Sequence, residues 1–113
     1  DSLSGAIGNI VLNEKLKGQN SQTLMDQWLL DSDFWVRRSA MIHQLGWRDK
    51  TDIKRLQHYA LQLSGESEFF IRKAIAWALR DYAWQNPEFV RTFVNQNVSV
   101  FSNLTIREAT KNL

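Results

Sequence analysis

"DFWVRRSAMIHQL", residues 33–45, decides the fold once it is laid over "EFFIRKAIAWALR", residues 68–80. The two stretches align without a gap at an offset of 35 residues. An acidic residue, an aromatic pair, a β-branched residue and two cations coincide. The same step leads to "TIREATKNL", residues 105–113, which puts Ile106 under Ile71 and Arg107 under Arg72. The series Val36/Ile71/Ile106, Arg37/Arg72/Arg107 and Ser39/Ala74/Ala109 make three copies in register. A unit that recurs at this period cannot bury its apolar face alone, so it stacks on its neighbours. The prediction is an all-α fold, an α-solenoid of helix pairs.

Local signals agree. Asn86 followed by Pro87 reads as an N-cap and first helical residue. Thr105 to Glu108 fits a capping box. Gly18, Gly46 and Gly65 fall where periodic segments stop. Helices are expected near 2–16, 21–30, 34–47, 51–63, 67–84, 87–96 and 104–112. No stretch alternates with period two, so no sheet is expected.

Composition narrows the function classes. The 113 residues fit one domain, 1–113, and 43% hydrophobic content supports a packed core. No apolar run approaches the ~20 residues of a membrane helix, and no signal-peptide pattern is present. The absence of cysteine excludes disulfides and thiolate metal sites and is compatible with the cytoplasm. His43 and His58 are too far apart in sequence for a short metal motif, so no metal site is expected. No Gly-rich phosphate loop or nucleophile elbow appears. Charge is uneven. Residues 1–33 carry two Lys/Arg against five Asp/Glu, residues 34–84 nine against five, and residues 85–113 three against two. A basic middle is the weak mark of a polyanion partner; a solvated helical surface gives the same count. Asp1 is not preceded by Met, and the chain reads as a fragment of something longer.

At 100° per residue, Ile71, Ile75, Ala78 and Tyr82 cluster on one side of the helix 67–84, the core side. Lys73, Trp77, Arg80 and Trp84 cluster opposite. Such a face can hold phosphates and meet a base or sugar with an indole, or can pack on another helix with the cations lying over the rings. Arg37 and Arg38 point about 100° apart and cannot share a face. Arg37 recurs in all three copies, which marks a residue that stacks or caps repeats. Arg38 aligns with Lys73 and then Glu108, and a position that varies among copies is the better functional candidate. The helix 34–47 is apolar on several sides and is expected to be central. His43 falls at the place of Ala78 and reads as a satisfied core histidine. His58 lies in a polar turn and carries no assigned role. Arg48 and the cluster of Lys50, Lys54 and Arg55 are further candidates for backbone contact.

"FWVRRSAMIHQL", "EFFIRKAIAWALRDYAWQNPEFV" and "LTIREATKNL" together resemble the DNA alkylation-repair glycosylases of the AlkD type. The resemblance runs from about Asp1 to the end and is most specific in "EFFIRKAIAWALRDYA". It implies HEAT-like repeats in a right-handed superhelix segment. It also implies a bacterial-type hydrolase that removes cationic N3- and N7-alkylpurines from duplex DNA, without extruding the base. The active-site tryptophan of that family falls on Trp77 and its active-site arginine on Arg38. Its catalytic aspartate falls on Asp1, in "DSL", with a slightly longer loop around Lys15 to Ser21. Arg38, Lys73, Arg80, Arg48 and Lys50 are the candidate DNA contacts. No metal or organic cofactor is implied. A second family tryptophan and the N-terminal half of the cleft would precede Asp1, so the stretch alone is expected to be inactive; a monomer is expected, with an exposed terminal repeat as the surface through which a fragment could self-associate. The residues also fit a DNA-binding relative without catalysis and a HEAT-like protein-interaction scaffold.

Overall fold

Among the described residues, seven α-helices form close to where the periodicity places them. The computed structural model describes residues 2–16 and 21–113. Asp1 and Gly18 lie outside the described residues. The helices are α1 (Ser2–Leu16), α2 (Gln22–Trp28), α3 (Phe34–Ile42), α4 (Ile53–Leu63), α5 (Phe69–Ala83), α6 (Pro87–Gln96) and α7 (Asn103–Ala109). There is no strand among the described residues. The odd-numbered helices pack in a row, α1 on α3, α3 on α5 and α5 on α7. The even-numbered helices sit against that row, with α4 bridging α3 and α5. This is the two-layer stacking of a helical-repeat solenoid. The radius of gyration, 13.1 Å, fits a chain of this length folded around one core.

Side chains of the loops start most of the helices. Asp33 accepts from the Trp35 N–H at 2.8 Å, and Asp52 from the Arg55 N–H at 3.1 Å. Asn86 accepts from the Phe89 N–H at 3.0 Å ahead of Pro87, as its sequence predicts. Each supplies one of the orphan donors of a first turn. At α7 the cap is Ser102 and not Thr105: Ser102 Oγ accepts from the Thr105 N–H at 3.1 Å. Thr105 is instead buried, with its hydroxyl directed to the Arg72 carbonyl at 3.4 Å. Phe101, just ahead of the cap, is buried against Phe93, which draws the helix start upstream.

One further expectation changes. The helix expected over 34–47 stops at Ile42, and the chain turns through Gly46 (φ +80°) and Arg48 (φ +53°) into a 3-10 turn, Arg48–Lys50. The stop comes from long-range bonds. Gln44 Oε1 accepts from the Asp52 N–H at 2.6 Å, and Asp81 accepts from the Gly46 N–H at 2.9 Å. α3 is enclosed as its apolar sides predict, packing on α1, α2, α4 and α5, and α5 packs on α3, α4, α6 and α7. The core side of α5 is the one read from the sequence, with Ile71, Ile75, Ala78 and Tyr82 all buried. Ala74, Ala76 and Leu79 are buried as well, so the small residues of "KAIAWAL" admit neighbours on other sides.

The α1–α3 contact depends on a missing side chain. A Cβ added at Gly8 would lie 2.3 Å from the carbonyl oxygen of His43. Glycine is the residue that allows two backbones to approach this closely.

Candidate nucleic-acid interface

The twin arginines divide. Arg37 closes a bidentate pair with Glu66, Nε to Oε2 at 3.0 Å and Nη2 to Oε1 at 2.7 Å. Its Nη1 also donates to the carbonyls of Asp31 and Ser32, at 2.8 and 3.0 Å. Arg72, one repeat on, donates Nε to the carbonyl of Glu66 at 3.0 Å. Both arginines thus reach back six residues to tie down the loop that precedes their own helix. Glu66 holds Arg37 above its ordinary pKa. Arg107 makes no such bond among the described residues.

Arg38 points the other way. Its guanidinium carbon lies 5.9 Å from the ring centre of Trp35 and 5.9 Å from that of Trp77. The distances are those of cation–π contacts, each worth about 0.5–2 kcal/mol as desolvation increases. Burial pulls the Arg38 guanidinium below its ordinary pKa, and it remains cationic. Arg38 lines a concavity of about 340 Å³ together with Lys73, Trp77, Arg80, Phe69, Phe70 and Glu108. The cation and tryptophan face expected on α5 is therefore one surface with Arg38 of α3. Trp84 turns away, 74% exposed, and borders a separate hollow with Pro87 and Leu113. Arg80 borders both.

Arg38, Lys73 and Glu108 hold the same repeat position on α3, α5 and α7, and all three line the one concavity. The row of odd helices projects that position onto a common side. Three cations face one carboxylate there, so the lining is net positive. Arg80 Nη1 stands 3.5 Å from Glu108 Oε2.

Arg48 and Lys50 do not line the concavity. Arg48 Nη1 reaches Asp81 at the far end of α5, 3.2 Å from its carbonyl and 3.6 Å from Oδ1. The Lys50 ammonium stays on the exposed 3-10 turn, 3.9 Å from Asp49. Arg55 is engaged elsewhere too. It bonds Asp26 through Nε and Nη2, both at 3.0 Å, and Asp52 through Nη1 at 2.8 Å. Tyr59 donates to Asp26 at 2.6 Å, which completes a polar tie between α2 and α4. Burial would raise the Asp26 pKa, but the bonds from Arg55 and Tyr59 outweigh it and hold the carboxylate below its ordinary value.

His43 is the core histidine its position suggests. It is buried, its Nδ1 lies 2.6 Å from the Ala40 carbonyl, and its Nε2 lies 3.2 Å from Gln22 Nε2. A neutral ring donating through Nδ1 and accepting from the Gln22 amide satisfies both contacts. Burial lowers its pKa to about 4.

An aromatic rim escaped the sequence reading. Trp35, Phe69 and Phe70 are 49%, 52% and 43% exposed. Trp35 and Phe70 lie 5.0 Å apart between ring centres, joining the start of α3 to that of α5. The signal was the aromatic pair repeated in "DFW" and "EFF", which periodicity alone assigns to packing. Among the described residues no group of His, Asp and Glu is arranged to hold a metal ion, and no helix is long and apolar enough to cross a membrane.

The model of a DNA alkylation repair enzyme family matches residues 1–113. A solved structure described as a predicted DNA alkylation repair enzyme from Enterococcus faecalis superposes with a TM-score of 0.83 at 31% sequence identity. That match covers 99% of this chain and 49% of the other, so this chain spans about half its length. No curated protein matches. A family match over every residue, joined to the same helical fold, establishes that the chain belongs to the DNA alkylation repair enzyme family.

Proposed function

We propose that this chain is the C-terminal part of a DNA glycosylase that excises cationic N3- and N7-alkylated purines from duplex DNA. The observation that carries the reading is Arg38, flanked by Trp35 and Trp77 in a net positive concavity that also holds Lys73 and Arg80. Guanidinium and ammonium groups suit backbone phosphates, and a desolvated arginine suits one phosphate next to a lesion. Trp77, 37% exposed, offers an indole face to a cationic sugar or base.

The substrate chemistry asks little of the protein. A purine alkylated at N3 or N7 already carries positive charge, so it leaves with the electron pair of the C1′–N bond and needs no added proton. Positive charge then builds on the deoxyribose. A carboxylate beside that sugar stabilises it and accepts the proton of the water that adds to C1′. By resemblance that carboxylate is Asp1, outside the described residues. The role of Arg38 and its neighbours is to hold the backbone so that the sugar faces this group.

The test is release of 7-methylguanine from methylated duplex DNA by the full-length protein. Release that is lost in Asp1→Asn and slowed in Trp77→Ala, with the fold retained, supports the reading. Salt-sensitive DNA binding without release identifies a non-catalytic DNA-binding relative. Binding indifferent to salt identifies a scaffold.

A further inference from the structure

We infer that Glu108 is a positioning residue that competes with DNA for Arg80 and thereby limits how tightly undamaged duplex is held. The inference rests on the proposed function, since it assumes that duplex DNA occupies the concavity. The first observation is the repeat register. Where α3 and α5 place Arg38 and Lys73 on this surface, α7 places a carboxylate. A carboxylate lining a polyanion site opposes binding unless a nearby cation engages it.

The second observation is the character of the pair. Arg37 and Glu66 form a closed fork, with contacts of 2.7 and 3.0 Å and two backbone carbonyls behind it. Arg80 and Glu108 come no closer than 3.5 Å, with side chains 33% and 23% exposed. A tight charge-assisted bond runs at about 2.7–2.9 Å, so the second pair orients its arginine without closing on it. An arginine held in this way can pass to a phosphate when one arrives, and returns to Glu108 when the duplex leaves. A protein that inspects long stretches of undamaged DNA needs such release, because sequence-independent backbone contact otherwise dominates affinity.

The experiment is salt-dependent binding of the full-length protein to a fluorescent undamaged duplex, for wild type, Arg80→Gln, Glu108→Gln and the double variant. Glu108→Ala serves as a second probe with the same expected direction. Freeing Arg80 adds up to one phosphate contact, so the slope of log K against log salt should steepen by up to about 0.9. Affinity at about 0.1 M salt should rise roughly fivefold on the same basis. Arg80→Gln should weaken binding, and in that background Glu108→Gln should change it by less than about twofold, because the competitor has lost its partner. The inference is overturned if Glu108→Gln leaves affinity unchanged or lowers it, or if its effect is equal in both backgrounds. If the wild type shows no salt dependence and Arg80→Gln has no effect, the proposed function falls with it. If Arg80→Gln weakens binding while Glu108→Gln fails to tighten it, the inference alone falls.

Discussion

The guanidinium of Arg38, on α3, lies 5.9 Å from the ring centre of Trp77, on α5. Arg37, its neighbour in sequence, is turned to Glu66 at 2.7 Å. One helical turn therefore separates two tasks. Replacing Arg37 by alanine removes a part-buried fork and leaves Glu66 without its partner. Unfolding free energy should fall by about 2 kcal/mol. Duplex affinity of the remaining folded protein should be unchanged. Arg38→Ala should do the reverse, weakening duplex binding by tenfold or so, the scale of one charge-assisted phosphate contact. Urea unfolding and fluorescence anisotropy, run on both variants, check the exchange.

Trp77→Ala should cost the full-length protein more in turnover than in affinity. An indole beside the reacting sugar is most useful when positive charge develops there, so its loss falls mainly on the chemical step. Single-turnover release of 7-methylguanine should slow by about tenfold or more, the equivalent of ~1.4 kcal/mol. Trp77→Phe, which keeps a smaller ring face, should recover part of the rate. Equal losses in both variants would count against a role for the ring face.

His43 predicts a pH dependence of stability. Its pKa is about 4 in the folded chain and about 6.5 when unfolded. The native state binds fewer protons in that interval, so stability is full above pH 6.5 and is lost as pH falls towards 4. Between pH 7.5 and 5 the loss should be about 2 kcal/mol. Replacing His43 by glutamine should flatten this segment of the curve.

Gly8→Ala should destabilise despite alanine's better helix propensity. The added Cβ would meet the His43 carbonyl at 2.3 Å, and backbone cannot move aside as a side chain can. Overpacking costs about 1–3 kcal/mol, against a propensity gain of up to ~1. A net loss in the denaturation midpoint is expected, and an unchanged or raised midpoint would mean that α1 can shift freely on α3.

Helix type and the core side of α5 were legible because both follow from spacing. The register also carried Arg38, Lys73, Trp77 and Arg80 to one surface, since a repeat places equivalent residues alike. What failed depends on partners distant in sequence. The end of α3 at Ile42 is set by Gln44 reaching Asp52 and by Asp81 reaching Gly46. Arg48 and Arg55 read as free cations until Asp81 and Asp26 are brought beside them. Aromatic residues present a different difficulty. Trp35 and Phe70 look like core in a sequence, and only packing shows that they form a rim.

Glu66 receives Arg37 through its carboxylate and Arg72 through its carbonyl. One residue is thus bound by the scaffold arginines of two successive copies. Stacked repeats can fray from one end to the other, since each touches only its neighbours. Here the junction from α3 to α5 is fastened at the loop between α4 and α5. Opening it breaks bonds belonging to both copies at once, so these helices should exchange their amide protons as a single cooperative block.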